Sequence, residues 1–158
     1  MIEDADIGSW AAPFVMAAIN TKNVHRTNAL LGYEFGRDFT YSEMQMTGKG
    51  DAGEKRAKAA ARQMLMLMGA LAFPPTRWLL TSFALPKPGQ GPSKEARESG
   101  HYEVLFVADG AAGQVRASVS GDKDPGYGST SKMITEAALC LARDVGRDHT
   151  PGGIWTPA

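Results

Sequence analysis

Asp124, Tyr127, Ser129, Thr130 and Ser131 fall within the stretch SGDKDPGYGSTSKM and combine a carboxylate, a phenol and three aliphatic hydroxyls. Asp124-Pro125-Gly126-Tyr127 fits a type II turn, with Pro presetting φ at the second position and Gly supplying a positive φ at the third. Ser129, Thr130 and Ser131 then compete for the N-cap of an amphipathic helix. Free backbone N–H groups and the helix dipole at such a start favour an anion, either the phosphate or the carboxylate of a ligand. Tyr127 would stand beside it as a hydroxyl donor. The same residues also read as a capped helix after a tight turn, with Tyr127 packed on a preceding hairpin. The pattern leaves both readings open.

Other constellations carry less. Gly48-Lys49-Gly50-Asp51-Ala52-Gly53 matches GxGxxG. A dinucleotide site needs a buried, almost wholly apolar parallel strand before it and an acidic residue about 20 positions further on. Ser42, Glu43 and Gln45 occupy the strand-like segment, and the stretch from Gly69 to Phe73 holds no acid. A glycine-rich strand-to-helix connection is therefore expected. His25, His101 and His149 lack metal-ligand spacing. No GxSxG or Walker motif occurs. Lys22, His25 and Arg26 read as a solvated basic helix face, and the Met64, Met66, Met68 cluster as core filler.

The elements that would position the opening residues follow from periodicity. Ser9 is expected to cap a helix starting at Trp10, with Phe14, Val15, Ala18 and Ile19 on one apolar face and a stop at Gly32. Aromatic and polar residues alternate through Phe39, Tyr41, Met44 and Met46, which predicts a strand. A long helix is expected from about Gly53 to Phe73, with a Glu54–Lys58 pair and a second half buried in the domain or in a partner. Pro74-Pro75 ends it, and TRWLLTSFAL predicts a short helix. LPKPGQGPSKEARESG reads as a long loop. HYEVLFV and VRASVSG, joined by a turn, predict a β-hairpin with Val115, Ala117 and Val119 on one side and a solvated or ligand-facing side opposite. In the last helix Met133, Ile134, Ala137, Cys140 and Leu141 share a face, so Cys140 reads as a buried small apolar residue.

The chain has 158 residues, 43% hydrophobic and 22% charged, ordinary values for one α+β domain spanning 1–158. Lys plus Arg balance Asp plus Glu at 17 each, so nothing in the charge points to a nucleic-acid partner. A single Cys excludes an intrachain disulfide, and the acidic start is unlike a secretory signal, so a cytoplasmic location is expected. Peripheral membrane contact through Trp78, Leu79, Leu80 and Phe83 beside Lys87 is disfavoured, because the segment is short and weakly basic.

The blocks DIGSWAAPFVMAAINTKNVHRTNALLGYEFG, EMQMTGKGDAGEKRAKAAARQM, FALPKPGQGPSKEARESGHYEVLF, SGDKDPGYGSTSKMITEAALCLA and TPGGIWTP resemble the C-terminal half of the saccharopine dehydrogenase-like oxidoreductases, including the bacterial trans-acting enoyl reductases. The resemblance implies an antiparallel or mixed sheet with helices on one face, serving as a substrate-binding and subunit-interface domain. It implies hydride transfer from NAD(P)H to a small-molecule or carrier-bound acyl substrate, in a homo-oligomer, with the cofactor held by an N-terminal Rossmann domain. This chain shows no such domain, so a fragment or isolated domain that binds no cofactor alone and is inactive alone is expected. Asp124, Tyr127, Ser129, Thr130 and Ser131 would line the substrate or cofactor edge, with His101, Glu103 and Arg116 contributing from the hairpin. A stand-alone, non-catalytic binding or oligomerisation module using the Met-rich helix is the alternative.

Overall fold

The residues expected to open the first helix form a strand instead. In the computed structural model, which describes residues 2–4, 7–146, 148 and 152–156, β1 (Ile2–Asp4) pairs antiparallel with β2 (Ser9–Pro13), matching Glu3 with Trp10. Ser9 is therefore no helix cap. Its strand has a partner on both edges, and Ala11 and Ala12 are buried. Satisfying both ladders while burying these small side chains outweighs their helix propensity. Pro13 sits at the strand's last position, where its missing N–H disrupts least.

Helix α1 (Ala17–Leu30) starts about two turns later than the expected Trp10 and is anchored by polar groups rather than by an apolar stripe. Asn28 is its buried residue. The Asn28 amide donates to the Gly36 carbonyl at 2.8 Å and accepts from the Phe35 N–H at 3.0 Å, which folds the chain back after the helix. Val15 and Ile19, expected on the buried face, are exposed.

The expected strand through Phe39 and Tyr41 forms only from Met44. β3 (Met44–Gly48) pairs antiparallel with β2, giving the order β1-β2-β3. The pairing skips Thr47, because Trp10 faces Gly48 and Ala11 faces Met46. The Thr47 hydroxyl donates to the Trp10 carbonyl at 2.9 Å and lies 3.0 Å from the Gly53 carbonyl, tying this bulge to the start of α2 (Gly50–Ala72). Gly48, at φ +101°, and Gly53 meet so closely that a Cβ on Gly53 would overlap the Gly48 carbonyl. The GKGDAG glycines thus serve a tight strand-to-helix crossing into an antiparallel sheet. The Glu54–Lys58 pair forms at 2.5 Å. α2 packs its first half on β2 and β3, with Ala57 buried. Most of its Met-rich second half is exposed, Leu65 at 74%. Pro74 ends α2 and opens α3 (Pro74–Leu79), which runs into a π-helical turn over Leu80–Ala84.

The chain divides into two units, the second starting at Pro86. Within the second unit, the expected loop contains α4 (Lys94–Ser99), capped by Ser93, whose hydroxyl oxygen accepts the Ala96 N–H at 3.1 Å. The predicted hairpin forms as β4 (His101–Gly110) and β5 (Gly113–Asp122), in full antiparallel register around an Ala111-Ala112 turn. Alternation puts Tyr102, Val104, Phe106, Val115, Ala117 and Val119 on one face. α5 (Gly128–Arg143) follows. The strands therefore divide between two small antiparallel sheets, where a single sheet was expected.

Little apolar surface is buried. Among the described residues the buried hydrophobic side chains are Ala11, Ala12 and Ala57. The accessible surface is 12383 Å², whereas two wholly separate compact domains of these lengths would expose about 9,300 Å². Val115 on the hairpin and Leu141 on α5 are 67% and 69% exposed. Cys140, expected to be buried, is exposed as well.

Candidate functional site

The DPGYGSTSK stretch supplies its own anion. The Asp124 carboxylate accepts backbone N–H bonds from Gly126 at 2.9 Å, Tyr127 at 3.0 Å and Gly128 at 2.8 Å. These are orphan donors at the start of α5, so Asp124 caps the helix from in front and the three hydroxyls do not. The Gly128 N–H bond is the chief cause that holds the Asp124 carboxyl below its usual range. Gly126 has no positive φ, so the turn is not type II; the left-handed residue is Lys123, at φ +66°. Asp124 can present its carboxylate to three successive N–H groups because Pro125 and Gly126 continue toward the helix rather than reversing the chain.

The hydroxyls turn to the chain's own carbonyls. Ser129, 4% exposed, donates to the Asp122 carbonyl. Thr130 donates to the Pro125 carbonyl at 2.6 Å and Ser131 to the Gly128 carbonyl at 2.9 Å. Asp122 in turn holds the Lys132 ammonium at 2.5 Å, and this bond to Lys132 lowers the Asp122 pKa. α4 locks onto the same stretch: the Asp124 N–H donates to the Arg97 carbonyl at 2.9 Å. A Cβ on Gly128 would lie 2.7 Å from the Lys123 Cβ and 2.9 Å from the Arg97 carbonyl oxygen, so that position accepts only glycine without rearrangement.

Of the five predicted site residues, Tyr127 and Ser131 line a small polar cleft of about 170 Å³ between α4 and the start of α5. Lys94, Arg97 and Lys123 bring three positive charges to it, and Glu98 one negative charge, with Lys94 and Glu98 3.9 Å apart. Lys94 and Arg97 had no sequence signal, because they come from a segment read as loop. The cleft can hold an anion beside the Tyr127 hydroxyl. The hairpin residues do not converge on one point. His101, Glu103 and Arg116 share a face, but Arg116 stands opposite Val107, six residues along β4 from His101, about 20 Å. Arg116 also donates from Nε to Gln114 at 2.8 Å.

A second concavity, in the first unit, had no sequence signal. An open groove of about 540 Å³ lies between α1 and the segment leading into β3. Pro13, Phe14, Ala17, Ala18 and Met44 give it apolar walls, and Lys22, Tyr41 and Glu43 give it polar groups. The Asn20 amide donates to both Glu43 carboxylate oxygens, at 2.9 and 3.1 Å. Partial burial, helped by the Glu43 charge, raises the Tyr41 pKa, so its phenol stays a proton donor.

Among the described residues no group of three or more His, Cys, Asp or Glu could hold a metal ion, and no helix is long and apolar enough to cross a membrane. His149 lies outside the described residues. Every strand pair is antiparallel, so the described residues do not fit a dinucleotide in the βαβ manner.

Among known proteins, the chain is similar to a putative trans-acting enoyl reductase of Mycobacterium tuberculosis, 34% identical over 96% of this chain and 37% of the relative. Trans-acting enoyl reductases of Mycobacterium bovis and Mycobacterium ulcerans are 34% and 31% identical over the same shares. The chain thus spans little more than a third of the length of these curated relatives. No family model matches it, and no solved structure matches it.

Proposed function

We propose that this chain is the substrate-binding and subunit-interface portion of an NAD(P)-dependent, saccharopine dehydrogenase-like oxidoreductase of the enoyl reductase kind. The observation that carries the reading is 34% identity to trans-acting enoyl reductases over 96% of the chain. Binding of the nicotinamide nucleotide falls, in this reading, to parts of the longer relatives that the chain does not match. In this reading these residues contribute binding, orientation and exclusion of water around a small-molecule or carrier-bound acyl substrate. The cleft of Arg97, Lys123, Tyr127 and Ser131 suits a phosphate-bearing group at the edge of such a site. The exposed apolar faces of β4–β5 and α5 suit burial in a homo-oligomer or against further parts of the enzyme. We place its work in the cytoplasm and in lipid synthesis.

The test is a chimaera. This chain replaces the matching segment of a mycobacterial trans-acting enoyl reductase, and oxidation of the nicotinamide nucleotide is followed with an enoyl thioester. Retained turnover is expected. A folded chimaera that binds the nucleotide but neither binds nor reduces the thioester overturns the reading.

The uncovered apolar faces also support a second reading, a stand-alone binding or oligomerisation module. It requires the isolated chain to elute as one defined oligomer in size-exclusion chromatography. The first reading expects the isolated chain to aggregate.

A further inference from the structure

We propose that the groove between α1 and the segment 39–44 is an acyl-binding site, in which a short hydrocarbon chain lies against Pro13, Phe14 and Met44 and a thioester carbonyl accepts a hydrogen bond from the Tyr41 hydroxyl. The placement rests on the acyl-substrate part of the proposed function; its residues come from the geometry.

Three contacts fix how the two walls run. The His25 and Phe39 rings stand 5.6 Å apart, Asn20 holds Glu43, and Pro13 pairs with Met44. Segment 39–44 thus runs antiparallel to α1, and the groove has a direction. Its Pro13–Met44 end is apolar, and its other end carries Tyr41 and Lys22. Ala17 and Ala18 leave the helix side of the groove without bulk. Ala17 to Lys22 spans about 7.5 Å along the helix, which suits a short chain. A volume of about 540 Å³ lies within the usual range of ligand sites, about 300–1,000 Å³.

The polar end selects the head group. Glu43 is engaged by Asn20, whereas no described residue is hydrogen-bonded to the half-buried Tyr41 hydroxyl. That phenol is a free donor facing an apolar groove, the arrangement that orients a carbonyl. Lys22 and Glu43 bring no net charge to the groove, and the Glu43 charge acting on Tyr41 disfavours a free carboxylate there relative to a neutral thioester. The groove is open along its length, so a thioester tethered to a larger carrier can enter from the side.

The test titrates the full chain with the hexanoyl thioester of N-acetylcysteamine and, separately, with hexanoate, both followed by amide chemical shifts. Saturable shifts confined to 13–22 and 39–44 are expected, with hexanoate binding more weakly. Tyr41→Phe should weaken thioester binding about tenfold, the loss of one hydrogen bond. Ala18→Leu, at an exposed helix position that tolerates leucine, should abolish binding while leaving the remaining amide spectrum unchanged. Shifts that do not saturate, shifts centred elsewhere, or unchanged affinity in both variants overturn the site. Reductase activity of the chimaera without groove binding overturns this placement alone. Groove binding with an inactive chimaera overturns the proposed function alone.

Discussion

Asp124 Oδ2 accepts the Gly128 N–H at 2.8 Å, so the helix that begins at Gly128 carries its anion within the chain. An external ligand near this helix start must be drawn by side-chain cations instead, and Lys94, Arg97 and Lys123 line the cleft there.

Removing that cap should cost stability. Asp124→Ala is expected to lower the melting temperature by about 5 °C, as loss of an N-cap does in a small domain, with Asp124→Asn intermediate. Circular dichroism melts check this. An Asp124→Ala melt equal to wild type would remove the capping role.

The same contact sets an acid dependence. The folded-state pKa of Asp124 lies below its unfolded value, so its contribution is complete above the ordinary carboxylate range and disappears as pH falls through the folded value. Stability should therefore fall below about pH 4, and Asp124→Asn should flatten that part of the profile. Urea melts across pH 2–6, with the two profiles compared, are the measurement.

Two glycines in helices should respond in opposite directions. Gly128→Ala forces a Cβ against Lys123 and the Arg97 carbonyl and should destabilise by about 1–3 kcal/mol. Gly69→Ala meets nothing within 4 Å and lies inside α2, so it should stabilise by roughly 0.4–1 kcal/mol. Equal effects would show that the close approach at Gly128 is not real.

The cation cleft should bind phosphate-type anions. Pyrophosphate should perturb amides of α4 and of 123–131, and the double variant Arg97→Glu, Lys123→Glu should remove the effect. Salt should weaken it, because these groups are exposed. An unchanged response in the double variant would take the anion site away from this cleft.

The apolar hairpin face should govern association. Val115→Lys and Val119→Lys together are expected to shift the chain toward monomer in size-exclusion chromatography without changing its far-ultraviolet spectrum. If that face has no role, the elution profile will not move.

Local pattern was enough for part of this molecule. Alternation placed the hairpin faces, helix formers between Gly50 and Ala72 placed α2, and Pro74 ended it. These signals are intrinsic to short windows of chain, through side-chain period and backbone dihedrals. Ser9–Pro13 shows the limit. Its residues suit a helix, yet two neighbouring strands and the close approach of α2 make it the central strand, and no local preference contains that information. The candidate sites divide the same way. Tyr127 and Ser131 were legible because they sit in one turn. Arg97 and Lys94 join them only because α4 packs against that turn. The Tyr41 groove needs residues 13–22 and 39–44 side by side, which the Asn20–Glu43 and His25–Phe39 contacts bring about across a stretch with no regular structure. The hairpin turn and the two hairpin faces were legible in the chain alone, because they follow from each residue and its near neighbours. Which polar groups are satisfied within the chain, as Glu43 is by Asn20, and which stay available to a ligand, as at Tyr41, was set by the fold, because it depends on contacts between residues distant in sequence.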